Sequence, residues 1–218
     1  MAFAHSVPGR ESSNWEPLGN HLDKVSSLCS EFTSKFSASD WGDAAGALHD
    51  IGKLSGPFQA KLTGREGHVD HSTAGARLAA EKYAAAGRLL AYVIAGHHAG
   101  LANWNGDGGG GSTLARRLDA AQYTIPEIGF WQAAVSLPTK LSPPKLTRLP
   151  HLKGPLGREG VSLALFARMV FSALVDADRL ATEDFYCRAE GRLPPPRGRW
   201  RPLRDLKDQL DGHMAQLV

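Results

Sequence analysis

The chain has 218 residues, of which 42% are hydrophobic, and a formal net charge of +3. This length and composition suffice to bury one sizeable core, and the charge by itself selects no class of partner. The two cysteines, Cys29 and Cys187, lie far apart without CxxC spacing, which argues against a disulfide framework or a thiolate zinc site and fits a reducing cytoplasm.

Stretches rich in alanine and leucine, with helical periodicity, dominate the chain, and the alternating patterns typical of strands are nearly absent. The sequence therefore predicts an all-α fold, a compact bundle of short, closely connected helices. Caps are predicted at Ser39-Asp40 and Asp70, and helix ends near Gly87 and Gly100. The helices are predicted at residues 18–36, 40–52, 71–86, 88–97, 112–121 and 158–187.

Two segments between these helices are predicted as loops. Residues 103–112 contain four consecutive glycines, Gly108 to Gly111, and show no apolar periodicity. No Gly-Lys-Ser/Thr follows them, so this is not a phosphate-binding loop. Residues 138–155, which include Pro143 and Pro144, are predicted to cross the surface between helices.

The C-terminal part has a different composition, and we divide the chain into a domain at residues 1–187 and a connector with a terminal helix at 188–218. The three prolines Pro194, Pro195 and Pro196 lie among arginines, and residues 203–218 are amphipathic, as a helix leading to a partner would be. The connector suits phosphate contact and a solvated Pro-rich linker equally. Its arginines are Arg188, Arg192, Arg197, Arg199, Arg201 and Arg204.

The N-terminus and the apolar runs predict a soluble protein. Residues 1–5 show no cationic segment leading into an apolar stretch, and no apolar run approaches the roughly 18 residues of a membrane span. We therefore expect a cytoplasmic protein without a membrane partner.

The segment Leu48-His49-Asp50-Ile51-Gly52-Lys53 places an imidazole next to a carboxylate at the end of an amphipathic helix. Such a pair alone indicates no more than a capped helix end. However, further ligand-type residues lie in apolar helix contexts: His21, His71, His97, His98, Asp176 and Asp178. Burying an unsatisfied polar group costs about 1–3 kcal/mol. One shared metal centre therefore explains this series better than five helices that each bury such a group independently.

The ordered series resembles the HD phosphohydrolase superfamily and, more narrowly, the HD nuclease domain of the CRISPR-associated type I helicase-nuclease. The resemblance spans nearly the whole chain. Four stretches carry it: Ala4-His5-Ser6 leading to Trp15-Glu16-Pro17-Leu18 and His21; the segment from His49 to Lys53; Asp70-His71-Ser72-Thr73-Ala74-Gly75-Ala76; and Leu174-Val175-Asp176-Ala177-Asp178-Arg179-Leu180.

This resemblance implies a helical bundle with two divalent metal ions in its middle. The first would be held by His21, His49, Asp50 and an aspartate of the last helix. We prefer Asp178 for that position, because the superfamily generally shows Ala-Asp followed by a spacer and an apolar residue, although helical periodicity leaves Asp176 open. The second would be held by Asp50 as a bridge, with His71, His97 and His98.

The chemistry follows from these ligand types. Two cations about 3.5–4 Å apart can activate a water and neutralise charge on a phosphodiester, and a bridging carboxylate such as Asp50 offsets both cations. Lys53 is predicted to stabilise charge near the scissile phosphate, against the alternative of a surface lysine near a helix end. Five imidazoles and two carboxylates favour Mn, Fe, Co, Ni or Zn over Mg or Ca. His5 has no assigned role, and His68, His151 and His213 are left outside the site.

The resemblance implies a metal-dependent nuclease, endonuclease or exonuclease, that degrades single-stranded DNA in type I CRISPR interference. Its partners would be a superfamily 2 helicase, fused or separate, and the surveillance complex. Trp104, Trp131 and Trp200 are candidates for base stacking, against the alternative of core aromatics. The chief alternative function is an HD phosphohydrolase of small nucleotides or cyclic dinucleotides. A third is a non-catalytic HD module that only binds a partner.

Overall fold

The computed structural model describes residues 1–65, 67–106, 113–146, 155–198 and 201–216, without the side chains of 155–158. The all-α prediction is confirmed: the described residues form seven helices and one two-stranded antiparallel sheet, β1 (Phe3–His5) with β2 (Glu16–Pro17). The helices are α1 (Leu18–Ser34), α2 (Ser39–Leu48), α3 (Gly56–Leu62), α4 (Ser72–Gly96), α5 (Leu114–Leu118), α6 (Pro155–Ala189) and α7 (Leu203–Met214).

The core lies between α1, α2, α4 and α6, whose apolar faces meet in one cluster. Its fully buried members include Trp41, Leu48, Ile94 and Leu174, and each such side chain contributes about 1.5–3 kcal/mol through burial. Helices α1 and α2 approach closely because α2 carries glycine where they cross: a Cβ on Gly46 would lie 2.4 Å from Ser26 Cα. This close approach brings the end of α2 next to the first turns of α1.

The two helices predicted at 71–86 and 88–97 make up α4, in which two helical segments meet at a kink with one non-helical residue. That residue is Ala84 (φ 49°, ψ −122°), so the break comes before Gly87 rather than at it. Glycine is needed at position 87 because of close packing and not because a helix ends there. A Cβ on Gly87 would lie 1.9 Å from the carbonyl oxygen of Ala79. Gly100 (φ 89°) does follow the helix end, and its N–H bonds to Gly96 O at 2.7 Å.

The helix predicted at 40–52 is α2, which ends earlier, at Leu48, and a 3₁₀ helix covers Ile51–Leu54. The cap predicted at Ser39-Asp40 is wrong. The helix begins at Ser39, and its N-cap is Ala38, for which the described residues show no side-chain capping hydrogen bond. Helix α3 was not predicted from the sequence, and it begins with Gly56-Pro57, a pair typical of turns. Its start is stabilised instead by Ser55 Oγ, which accepts from Phe58 N, and proline is tolerated in a first helical turn.

Helices α5 and α6 lie where helices were predicted, but their lengths differ from the prediction. Helix α5 is shorter than the predicted 112–121, and α6 begins at Pro155 rather than 158. Residues 138–146 are irregular and run over the surface of the core, as predicted, since each is exposed or half-buried. Ser142 O accepts from Trp41 Nε1 (2.8 Å) and Pro138 O from Tyr83 Oη (2.8 Å). The rest of that predicted loop, 147–154, and the glycines Gly108 to Gly111 lie outside the described residues.

Helix α6 is the one described helix that is long and apolar enough to cross a membrane by length and composition alone, over Glu159–Ala189. The expectation drawn from uninterrupted apolar runs did not anticipate this. Val170, Leu174 and Ala177 on this helix are fully buried in the core with α1, α2 and α4. Core packing accounts for only part of the apolar composition, because Val161, Leu165 and Met169 of the same helix are exposed. The absence of a membrane partner stays a prediction.

The tail is exposed along residues 190–198 and 201–216. Helix α7, within the predicted terminal segment 203–218, presents Leu203, Leu206, Leu210 and Met214 to solvent, at 45–84% relative exposure. Arg199 and Trp200 lie outside the described residues. The division of the chain at residue 187 stays a prediction.

Asp70 caps α4 as predicted, and its replacement by alanine is expected to lower the free energy of unfolding by about 2 kcal/mol. Its Oδ1 accepts from the backbone N–H of Ser72 (3.0 Å) and Thr73 (3.1 Å), and its Oδ2 accepts from the Tyr123 hydroxyl (2.9 Å). Urea denaturation of the metal-free chain measures the loss. Asp23→Ala, at an exposed position of α1, is the control and should change stability by less than about 0.5 kcal/mol; equal stabilities for the two variants would contradict the capping role.

Candidate metal centre

The seven predicted ligands come from four helices or from residues beside their ends, and the structure brings all seven together. His21 lies in the first turn of α1, His49 and Asp50 directly follow α2, and Asp178 lies in α6. His71 precedes α4, and His97 and His98 follow it. The ligand atoms form two groups, each with all atoms within 4.8 Å of one another: His21, His49, Asp50 and Asp178 in the first group, and Asp50, His71, His97 and His98 in the second group.

Asp50 belongs to both groups and uses a different oxygen in each. Its Oδ2 lies 3.4 Å from His21 Nε2 and 3.3 Å from His49 Nε2, in the first group. Its Oδ1 lies 3.3 Å from His71 Nε2 and 3.4 Å from His97 Nε2, in the second group. A carboxylate placed in this way can serve as one ligand to each of two neighbouring cations.

Of the two aspartates that helical periodicity left open, Asp178 lies in the first group. Its Oδ1 is 3.3 Å from His21 Nε2 and 3.6 Å from His49 Nε2, and the Thr182 hydroxyl donates to the same oxygen at 3.4 Å. Asp176 lines a neighbouring cavity but belongs to neither group among the described residues. His98 completes the second group, and its Nε2 lies 2.9 Å from His71 Nε2.

The rings of the two groups are oriented so that Nε2 faces the centre. His49 Nδ1 lies 2.7 Å from Gly46 O, His97 Nδ1 2.7 Å from Ile94 O, and His71 Nδ1 3.2 Å from Val69 O. Because a carbonyl oxygen only accepts, each Nδ1 carries a proton, so that in the neutral ring the lone pair is on Nε2. This is the tautomer that a metal-binding histidine needs.

A test of whether these residues fit metal ions comes from their unsatisfied atoms. Among the described residues, six buried side-chain atoms lack a hydrogen bond, and all six belong to this centre: His21 Nδ1 and Nε2, His49 Nε2, both oxygens of Asp50, and His97 Nε2. Two of them have a charged neighbour that compensates, since Asp50 Oδ2 lies 2.6 Å from Lys53 Nζ and His21 Nδ1 lies 3.3 Å from Glu16 Oε2. The other four face only the ligand atoms of the two groups. Since each such atom costs about 1–3 kcal/mol, and divalent transition metals prefer nitrogen and carboxylate donors, the arrangement fits cations in both groups.

The electrostatics of the centre point the same way. Burial lowers the pKa of His21, but Asp178, Asp50 and Glu16 outweigh it and raise that pKa to about 10. For His49, burial is likewise outweighed by Asp50 and Asp178, and the pKa rises to about 9. Burial raises the pKa of Asp50, but Lys53 and His49 hold it well below its ordinary value. The metal-free centre therefore holds ionised carboxylates balanced by protons, whose places cations would take.

Lys53 is not a surface lysine, so that alternative is wrong. It lies in the 3₁₀ helix Ile51–Leu54 and is 4% exposed. Its Nζ forms an ion pair with Asp50 Oδ2 at 2.6 Å, donates to Ala4 O at 3.2 Å, and lies 3.5 Å from His5 Nε2. The ammonium is thus held beside the carboxylate shared by the two groups, and its catalytic role stays a prediction.

Two cavities adjoin the centre and share His98. The larger, of about 810 Å³, is lined by centre residues and by side chains of α6 and the tail: His5, Lys53, His97, His98, Asp178, Arg179, Thr182, Glu183 and Arg197 among them. The smaller, of about 380 Å³, is lined by His71, His98, Asp70, Arg117 and Tyr123, and by His68. The second group can therefore be reached from two sides.

Glu16 is the residue near the centre that sequence reasoning missed. It is 6% exposed, and its Oε2 lies 2.7 Å from His5 Nδ1 and 3.3 Å from His21 Nδ1. Burial raises the pKa of Glu16, but the two imidazoles outweigh this and lower it to about 2. A signal was available, because the glutamate lies between tryptophan and proline in one of the stretches that carried the resemblance.

The remaining candidates lie elsewhere. His68 and His213 are exposed, as expected for residues outside the site, although His68 lines the smaller cavity. His151 lies outside the described residues. Trp131 packs against the apolar cluster that contains Leu18, and Trp104 lies 6.0 Å, centroid to centroid, from Tyr92. Base stacking by these tryptophans stays a prediction.

The family model described as HD domain matches residues 18–128, just over half of the chain. The match includes every predicted ligand except Asp178, which lies beyond it on α6. No curated protein matches the chain.

Proposed function

The chain belongs to the HD-domain family of metal-dependent phosphohydrolases, and on that premise we propose that it is a nuclease hydrolysing phosphodiester bonds of single-stranded DNA. The observation that carries the proposal is the placement of Asp50, whose two oxygens each face one of two histidine groups. Such a pair of groups suits two-cation hydrolysis of a phosphodiester.

The residues would divide the work as follows. His21, His49 and Asp178 would hold one cation, His71, His97 and His98 would hold the other, and Asp50 would contribute one oxygen to each. When bound, the two cations supply Lewis-acid activation of a water and neutralise charge on the phosphodiester. Lys53 keeps Asp50 in place through their ion pair and adds positive charge beside the larger cavity.

A polymeric substrate is favoured by the two cavities. Both include His98, so a strand can run past the second group with nucleotides on either side of it. Arg179 and Arg197 line the larger cavity, where their guanidinium groups can meet backbone phosphates. A small nucleotide would need only one of the two cavities.

We propose from the sequence resemblance that the chain acts in the cytoplasm in type I CRISPR interference. A superfamily 2 helicase would expose the single strand within a DNA target bound by the surveillance complex. Helix α7, with its solvent-facing Leu206 and Leu210, would dock on that helicase or lead into it. An apolar stripe on an otherwise exposed helix supports a protein contact.

The test incubates the purified metal-free chain with Mn²⁺, Ni²⁺, Co²⁺, Fe²⁺, Zn²⁺ or Mg²⁺ and compares labelled single-stranded DNA with duplex DNA, RNA, nucleoside phosphates and cyclic dinucleotides. We expect degradation of single-stranded DNA that a transition metal supports better than Mg²⁺. Turnover of small nucleotides alone would replace the nuclease with the alternative phosphohydrolase. No turnover with any metal, despite stoichiometric metal binding, would leave a non-catalytic module.

Replacing Arg197 by glutamine is expected to raise KM for single-stranded DNA about fivefold, with kcat little changed, because one partly exposed phosphate contact is worth about 1 kcal/mol. Arg197 pairs with Glu183 at the larger cavity. Arg192→Gln is the matched control, since Arg192 pairs with Glu190 in the same exposed tail. Steady-state kinetics at fixed salt measure both. Equal KM values for the two variants would contradict a role for Arg197 in substrate binding.

A further inference from the structure

The histidine rings of the centre differ in what lies behind them. For His49, His71 and His97, the Nδ1 atom that faces away from the centre meets a backbone carbonyl. For His21 it meets a carboxylate instead, at 3.3 Å from Glu16 Oε2. A carboxylate behind a histidine ring orients the ring and raises the basicity of its other nitrogen more than a neutral carbonyl does.

Glu16 owes its position to the small sheet at the N-terminus. The strands β1 and β2 pair His5 with Glu16, with a register shift between Phe3 and His5, and Glu16 Oε2 lies 2.7 Å from His5 Nδ1. Pro17 then leads directly into α1, which carries His21. Both ends of the sheet are therefore tied to the centre, one through a ligand and the other through His5.

His5 continues the chain of contacts to Lys53. Because Glu16 only accepts hydrogen bonds when ionised, it fixes the proton of His5 on Nδ1. This leaves His5 Nε2 as an acceptor, 3.5 Å from Lys53 Nζ. The strand is held in place from two sides: Gln59 Nε2 donates to Phe3 O at 2.9 Å, and the Tyr186 hydroxyl donates to Ser6 O at 3.2 Å.

His5, Glu16 and His21 also lie close enough together to hold an ion of their own, but two features oppose it. His21 Nε2 is already directed at Asp50 and Asp178, so a second cation on Nδ1 would require the ring to lose both protons. The Lys53 ammonium lies near His5 and would repel a cation there. The cluster therefore suits hydrogen bonding better than metal binding.

We propose that Glu16 is a positioning residue for His21 and, through His5, for Lys53. This inference rests on the proposed metal centre, but it does not depend on which substrate is cleaved. The carboxylate sets the affinity of the first group, to which His21 belongs, and leaves the second group unaffected. The two-stranded sheet thus contributes to the site, because it holds Glu16 and His5 in position.

The experiment measures binding of Mn²⁺ and Zn²⁺ alone by isothermal titration calorimetry, in two backgrounds that separate the groups. His71→Ala removes a ligand of the second group, so binding in that background reports the first group. Asp178→Asn removes a ligand of the first group, so binding there reports the second. Adding Glu16→Gln should weaken binding about 10–100-fold in the first background and leave the second unchanged.

Glu31→Gln, at an exposed position of α1, removes the same charge and should change binding in neither background. Equal affinity with and without Glu16→Gln in the first background would overturn the proposal. So would equal weakening in both backgrounds together with a lower melting temperature of the metal-free chain, because that result marks a merely structural role. A parent chain that binds metal but cleaves no nucleic acid would overturn the nuclease function and leave this inference standing, whereas one that binds no metal would overturn both.

His5→Phe tests the contact between His5 and Lys53. This variant keeps a ring of similar shape and keeps Glu16 beside His21, so metal binding should stay as in the parent chain. We expect kcat to fall without a change in KM, because Lys53 loses one of its three acceptors. If metal affinity instead falls as far as in Glu16→Gln, the role assigned to His5 is wrong.

Discussion

Asp50→Asn is expected to remove metal binding from both groups and to lower the rate of phosphodiester hydrolysis by about 10³-fold or more. A bound cation supplies several kcal/mol of transition-state stabilisation, and each 1.4 kcal/mol is about tenfold in rate. The amide has the shape of the carboxylate but no charge, and it presents a donor where the carboxylate offers an acceptor. Since Asp50 contributes one oxygen to each group, neither group should survive intact.

Calorimetry with Mn²⁺ and single-turnover cleavage of a labelled oligonucleotide measure the two effects, and circular dichroism checks that the chain is folded. Asp23→Asn, on the exposed face of α1, removes the same charge and should behave as the parent chain. Retention of one tightly bound cation by Asp50→Asn would show that Asp50 does not bridge the groups. Retention of activity would place the chemistry elsewhere.

Gly52→Ala is expected to destabilise the chain by about 3 kcal/mol and to abolish binding at the second group. A Cβ on Gly52 would lie 2.1 Å from the carbonyl oxygen of His71 and 2.7 Å from its Cα, which is far inside van der Waals contact. Overpacking of this kind costs about 1–3 kcal/mol, and sometimes more. The 3₁₀ helix that follows Asp50 must therefore move away from His71, and the two ligands with it.

Gly56→Ala is the matched control, four residues further along the chain. A Cβ there meets none of the described residues within 4 Å, so stability should be unchanged or slightly higher, by up to about 1 kcal/mol. Thermal unfolding in the presence of a chelator gives the stability, and calorimetry in the Asp178→Asn background gives the affinity of the second group. A stable Gly52→Ala variant with unchanged affinity would mean that the backbone accommodates the methyl group without moving His71.

The candidate ligands could be predicted from the sequence because each is a polar residue in an apolar context. His49-Asp50 and His97-His98 lie at the ends of predicted helices, and a histidine buried there needs a hydrogen-bond partner or a metal in any fold. The choice between Asp176 and Asp178 could not be made from periodicity, because both lie on apolar lines of α6. Only the packing of α6 against α1 decided it, by placing Asp178 within 3.3 Å of His21.

Local chemistry thus determined the all-α class, the positions of most helices and the residue types of the centre, since periodicity and polarity act over a few neighbouring residues. Tertiary structure decided what depends on contacts between distant segments. It divided the ligands between the two oxygens of Asp50, buried Lys53, broke α4 at Ala84 and brought Glu16 from the N-terminal sheet to the back of His21. These features come from how helices pack and how strands pair, and no single stretch of sequence contains both partners of such a contact.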